Sequence, residues 1–244
     1  LCLYADRSFS FSRKRNFREA LSDLKKLITL AGEAKTDNPG MKDFWVDMFK
    51  AYAYTQRGYI HLCLWDLNKA IADCTDVIKS FRPSLQIPAH NIRVSALMHL
   101  GRFDEAEKDC REVLSRDAEN DEFVARTNLA WILLRRKDYD SAAKEIMQAL
   151  KEDPQHLLTK TNLGDLLLGL NCKESAVEQY TDVLNPIYDN EYVDIDDYLV
   201  AIHVEKRLGD LNGRKYTPDY QQTAAEKGFI PLEISNGYLK FIQL

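Results

Sequence analysis

Five histidines and five cysteines are the side chains here best suited to bind a metal or attack a substrate, and their spacing argues against both. His61, His90, His99, His156 and His203 form no H-E-x-x-H pair, and none has a second ligand four residues on. Cys2, Cys63, Cys74, Cys110 and Cys172 are odd in number and contain no C-x-x-C pair. Neither a zinc site nor an oxidised framework is expected, and a reducing, cytoplasmic location is. The sequence has no glycine-rich phosphate loop and no G-x-S-x-G elbow. It is therefore not expected to be an enzyme, and no cofactor or metal is expected.

Charge narrows the partners. The 33 basic and 38 acidic residues leave a net charge of -5, the wrong sign for displacing counterions from nucleic-acid phosphates. Arg13, Lys14 and Arg15 are contiguous, and read either as a solvated helix end or as a local basic patch. No apolar run is long enough to cross a bilayer. The first residue is Leu1, so the chain is expected to be cut from something longer, and a missing signal peptide says little.

What positions these side chains is a repeat. Ala70, Ala106, Ala142 and Ala176 are 36, 36 and 34 residues apart, and Ala20 heads a further copy. Seven and eight residues after these alanines come Leu27–Ile28, Val77–Ile78, Val113–Leu114, Ala149–Leu150 and Val183–Leu184. Four residues after them come Leu24, Cys74, Cys110, Ile146 and Tyr180. Offsets of 4, 7 and 8 share one face of an α-helix. A second helix precedes each copy, with the stripes Tyr4–Ser8–Phe11, Tyr54–Gly58–His61, His90–Val94–Leu97, Arg126–Ala130–Leu133 and Lys160–Gly164–Leu167. The middle member is small or modest each time, which lets two helices cross closely. His61 stands at an apolar position and reads as a satisfied buried histidine.

Leu100-Gly101-Arg102-Phe103-Asp104-Glu105-Ala106, Asp138-Tyr139-Asp140-Ser141-Ala142 and the closing Asp153-Pro154 carry a resemblance to the tetratricopeptide repeat family over about residues 1–184. The expected fold is all-α. It is a right-handed superhelical solenoid of about five helical hairpins starting near residues 1, 51, 87, 123 and 157. Each hairpin buries its faces only against its neighbours, and the stack leaves a concave groove. Capping helices are expected over 185–228, with Thr217–Pro218 as a helix start. Over 229–244, Asn236–Gly237 between apolar stretches predicts a β-hairpin. It would pack on the helices, on sequence outside this chain, or against a partner.

Two segments depart from the period. The first two copies lie 50 residues apart, and the excess near Gly32–Lys50 reads as a longer inner helix or as a lid or partner contact. Asp182, Asp189, Glu191, Asp194, Asp196 and Asp197 form a run with no basic residue, either a solvated helix start or an attractor for a basic partner.

The resemblance implies that the first helix of each repeat lines the groove with its positions 2, 5, 6, 9, 12 and 13. Thr127–Asn128 and Thr161–Asn162 then fall at equal positions. An asparagine amide donates and accepts, so Asn128 and Asn162 either track a peptide backbone or bond locally between adjacent helices. The two rungs resemble the asparagine ladder of the sugar-transferring tetratricopeptide proteins. Tyr52, Tyr59, Trp131, Arg135 and His99 complete the expected partner-binding set, with Trp131 either an anchor or packed on the next repeat. The cation and asparagine set with which relatives clamp chaperone tails is not met by Asn91, Ser95, Leu158 and Asn162. The expected function is a protein-interaction module holding an extended or helical peptide. A spacer docked by convex faces within a large complex, and a substrate-recruiting domain of a longer enzyme, are the alternatives. The sequence leaves the oligomeric state open.

Overall fold

The computed structural model describes residues 1–14, 16–33, 39–116, 122–189, 195–211, 229–235 and 238–243. The chain divides into two compact units, Leu1–Asp121 and Glu122–Leu244, where the repeat alone suggested one continuous array. The first unit holds α1 (Cys2–Arg13), α2 (Phe17–Glu33), α3 (Pro39–Cys63), α4 (Leu67–Ser80), α5 (Ile87–His99) and α6 (Phe103–Leu114). The second holds α7 (Glu122–Arg135), α8 (Tyr139–Glu152), α9 (Leu157–Gly169), α10 (Lys173–Asp189) and α11 (Ile195–Leu211). It ends in a two-stranded antiparallel hairpin, β1 (Phe229–Ser235) and β2 (Tyr238–Gln243).

Odd and even helices pair as hairpins: α1 with α2, α3 with α4, α5 with α6, α7 with α8 and α9 with α10. The even helices bury the stripe that the repeat defines. Ala20, Leu24 and Leu27 have no exposed surface, nor do Ala70, Cys74 and Val77, or Ala106, Cys110 and Val113. Ala142, Ile146 and Ala149, and then Ala176, Tyr180 and Val183, repeat this in the second unit. Each larger member contributes about 1.5–3 kcal/mol through removal from water. The odd helices cross their partners at the small residues. A Cβ built on Gly58 would lie 2.9 Å from the Cys74 sulfur, so the crossing there has no room for a side chain.

One turn chemistry closes four of the hairpins. Trp65, Gly101, Lys137 and Asn171 all adopt positive φ, at 62°, 73°, 62° and 65°, and all occupy position 15 of their repeats. The next N–H then reaches back five residues, from Asp66 to His61, Arg102 to Leu97, Asp138 to Leu133 and Cys172 to Leu167, at 2.8–3.0 Å. This is the Schellman stop, in which a left-handed residue satisfies the orphan carbonyls of the helix end. Gly101 takes that conformation without strain, and Asn171 more readily than Trp65 or Lys137. A Cβ at Gly101 would meet nothing within 4 Å, so Gly101→Ala tests backbone strain alone. It should cost about 1 kcal/mol in urea denaturation, with no change in helix content by circular dichroism.

A second repeated device ties the hairpins of the first unit. Arg7 grips Asp23 through Nε and Nη2 at 2.5 and 2.6 Å. Arg57 grips Asp73 at 2.8 and 2.6 Å, and Arg93 grips Asp109 at 2.6 and 2.6 Å. All three pairs span 16 residues, and each aspartate follows its anchor alanine by three positions. The Arg7 guanidinium holds the Asp23 carboxyl below its ordinary range. In the fourth repeat Glu145 replaces the aspartate, and Arg126 meets it from one turn earlier, at 3.2 Å.

The extra residues before the second repeat lengthen α3 to 25 residues, starting at Pro39, where the missing N–H costs nothing. At the other end, α10 runs on to Asp189, so residues 185–189 continue the fifth hairpin. There α11 packs on both α9 and α10, as a sixth inner helix would. Val204 is fully buried against Tyr180, Val183 and Leu184. Asp182, the first residue of the acidic run, is solvent-exposed and also ion-paired with the buried Lys160 ammonium. Thr217–Pro218 and Asn236–Gly237 lie outside the described residues, but Ser235 pairs with Tyr238 on either side of the two-residue connection.

Candidate functional site

In the first unit α3 lies between α1 and α5, and in the second α9 lies between α7 and α11, so the odd helices form the inner face of each unit. Counted from the repeat starts, position 9 carries Phe9, Tyr59, Ser95, Trp131 and Asp165. Phe9 and Tyr59 stay 49% and 38% exposed. Large apolar side chains left in water at corresponding positions are the chief feature of the first unit's inner face.

The other expected residues of that unit turn inward. The Tyr52 hydroxyl donates to the Ala5 carbonyl at 3.3 Å, linking α3 to α1. His99 packs on the Trp65 ring with centroids 4.7 Å apart. Burial pushes its imidazole down to about 4, so it is neutral at pH 7. Its role is contact with the turn before α4, not charge recognition.

The asparagine rungs need the same correction. Asn162 is wholly buried, and its Nδ2 donates to the Thr127 carbonyl at 2.9 Å. Thr127 Oγ1 lies 2.9 Å from Thr159 Oγ1, which lies 2.9 Å from His156 Nδ1. Thr161 spends its hydroxyl on the Leu157 carbonyl at 2.8 Å, and Asn128 is 8% exposed. The structure thus brings these residues together, but as a polar seam between α7 and α9. Inner helices approach so closely that positions 5 and 6 face the neighbouring helix.

Besides Phe9, two open residues of the second unit lie outside the expected partner-binding set. Val124 and Leu158, both at position 2 of adjacent repeats, are 42% and 38% exposed. Their signal was an apolar residue recurring at one groove position. Trp131 is half-buried, with the exposed Arg135 guanidinium 4.6 Å over its ring. Together these make a mixed apolar and cationic strip along α7 and α9.

The strongest electrostatic feature of the second unit is Asp165. Its Oδ1 accepts from Tyr180 Oη at 2.5 Å and from Arg207 Nε at 3.1 Å. Its Oδ2 lies 3.2 Å from His203 Nε2. Burial by itself would raise this carboxyl, but the donors from His203, Arg207 and Tyr180 win and hold it down to about 2. Burial and the adjacent carboxylate push the Tyr180 phenol upward, so it remains a donor. An acid at position 9, where three of the other four repeats carry aromatics, was the sequence signal.

Nothing in these geometries activates a nucleophile. Burial raises the Cys74 and Cys110 thiols to about 12, so they are protonated at neutral pH. Among the described residues no group of three or more His, Cys, Asp or Glu could hold a metal ion. None of their helices is long and apolar enough to cross a membrane.

Comparison with known proteins agrees with the hairpin architecture. Residues 97–160 match the tetratricopeptide repeat family model. The structure of YrrB, described as a tetratricopeptide repeat protein with an unusual peptide-binding site, aligns at a TM-score of 0.50 with 16% identity. The alignment covers 83% of this chain and 90% of that one. MamA from AMB-1 aligns at 0.44 with 14% identity, over 67% of this chain and 92% of its own. No curated protein sequence matches significantly.

Proposed function

We propose that this chain, whose residues 97–160 match the tetratricopeptide repeat family and whose helical hairpins share that fold, acts as a protein-interaction module whose inner faces hold an extended or helical segment of a partner. The observation that carries this reading is the row of exposed apolar side chains at inner positions: Phe9 and Tyr59 in one unit, Val124 and Leu158 in the other. Beside the latter pair, Trp131 and Arg135 supply the residue types on which binding energy usually concentrates. Of the residues expected to touch a partner, Tyr59, Trp131 and Arg135 keep that role. Tyr52, His99, Thr127, Thr161, Asn128 and Asn162 support the wall behind them. That YrrB has a peptide-binding site on the same architecture is consistent with this assignment. Cysteines that remain thiols fit a cytoplasmic setting.

The test places a photo-crosslinking amino acid at Tyr59 and, as a control, at Met147, which is exposed on the outer helix α8. Crosslinks to a protein partner from Tyr59 and not from Met147 support inner-face binding. The reverse pattern overturns it. Tyr59→Ala should then weaken binding of the captured partner by about 1–2 kcal/mol, with helix content by circular dichroism retained. The spacer alternative has one observation in its favour. Phe44 and Trp45 are exposed on the part of α3 that precedes the repeat, with the Arg82 guanidinium 5.2 Å over Phe44.

A further inference from the structure

One constellation occurs twice. On α1 the exposed Phe9 at position 9 lies under the guanidinium of Arg13 at position 13, with 6.0 Å to the ring centroid. On α7, Trp131 at position 9 lies under Arg135 at position 13, at 4.6 Å. Basic residues continue both runs, as Lys14 and Arg15 in the first and as Arg136 and Lys137 in the second. Each is the first inner helix of its unit.

The bland account is that a helix C-terminus favours cations. That account asks only for charge, and not for an aromatic one turn earlier. It also fails to explain why the other inner helices lack the pair at positions 9 and 13; α3 instead sets Arg57 over Tyr54 at 4.9 Å, where Asp73 already holds the guanidinium. Their position 13 carries Cys63, His99 and Gly169, and position 9 carries Tyr59, Ser95 and Asp165. The combination is thus not a requirement of the hairpin. Neither Arg13 nor Arg135 has a carboxylate partner among the described residues, although arginines elsewhere in this chain are gripped by one. A guanidinium near a ring face spends none of its N–H groups on that contact, so the fork that matches a carboxylate stays available.

We infer that the two aromatic–arginine pairs are docking points for acidic segments of a protein partner, with the ring taking an apolar side chain beside the carboxylates that the arginine and its basic neighbours hold. This rests on the reading of the inner faces as the partner-binding surface, and adds the chemistry of what binds there. An acidic protein fits better than a nucleic acid. The chain as a whole is negative, and each basic run is only three residues long, too short to follow a phosphate backbone. Because the arginine reads side-chain carboxylates, a free chain end is not needed.

The probe is a fluorescein-labelled, C-terminally amidated peptide of eight residues, with glutamates on both sides of a central leucine and phenylalanine. Fluorescence anisotropy with the full chain should show saturable binding that weakens as salt is raised. Arg13→Glu with Arg135→Glu should lower affinity at least tenfold. Both positions are exposed, so the melting curve should be unchanged. Arg13→Lys with Arg135→Lys should fall between, because charge is kept and stacking is lost. Absent binding of the acidic peptide, or affinity indifferent to charge reversal, overturns the inference. So does an oligouridylate that binds as tightly and is lost with the same substitutions. A neutral apolar peptide held through Tyr59 and Trp131 regardless of Arg135 would remove this inference and leave the interaction-module reading in place.

Discussion

Asp165→Ala should release α11 from the second unit. The carboxylate gathers donors from two helices, Tyr180 on α10 and His203 and Arg207 on α11, and is itself buried. Its removal strands a buried phenol and a guanidinium whose side chain is still 32% exposed. Losing one partner from a fully buried ion pair costs about 3–5 kcal/mol, and the solvent access of Arg207 brings the expected loss down to about 2–3 kcal/mol. Hydrogen exchange should locate the loss: amides of α11 should lose protection, while those of α7 and α8 keep theirs. The pH dependence has a definite sign. The folded carboxyl sits at about 2, below its ordinary 3.8, so its contribution is complete above the unfolded value. It is lost as pH falls from about 4 through about 2. Subtracting the acid melting curve of Asp165→Asn from that of the parent isolates this part from Asp23 and Asp109, which are also depressed. Equal curves for the two proteins would show that the cluster does not hold α11.

Gly164→Ala should be nearly as damaging, for a steric reason. A Cβ at that position would lie 2.3 Å from Tyr180 Cε1, 2.6 Å from Cδ1 and 3.0 Å from Cζ. The ring has no exposed surface, and its hydroxyl is anchored on Asp165, so it has nowhere to swing. Overpacking of this kind costs about 1–3 kcal/mol or more, even though alanine is the better helix former. Gly164→Ala with Tyr180→Leu should recover part of the loss, since the two sites are in contact and their effects do not add. Measured by urea denaturation, additive losses would rule out the clash as the cause.

These two residues show how far periodicity reads. Gly164 was recognisable as the small residue of an inner stripe, in register with Ser8, Gly58, Val94 and Ala130. Tyr180 was recognisable as the residue four after an anchor alanine. That they press on each other followed from the hairpin register. Asp165 is not marked by the repeat, because two of its three partners lie 38 and 42 residues away on a helix beyond the repeats. The arginine–aspartate grips at a spacing of 16 were present in the sequence as a pattern, at position 7 of three repeats, and were overlooked in favour of apolar offsets. The recurrent left-handed turn was legible only at Gly101. Trp65, Lys137 and Asn171 adopt the same φ without a glycine to announce it.

The recognition residues divide on the same line. Exposure of Tyr59 and the pairing of Trp131 with Arg135 agree with their places on the inner helices. Asn162 does not, because the next helix comes near enough to claim its amide for Thr127. From the sequence alone came the hairpins, their register, the buried stripes and the all-α class. Each of these follows from which residues share one side of their own helix, and 3.6 residues per turn makes that a local property. The tertiary structure alone decided which inner side chains remain open to a partner, where the chain divides into units, and what α11 rests on. Those depend on how closely helices distant in the chain approach, and no spacing within one helix encodes that distance.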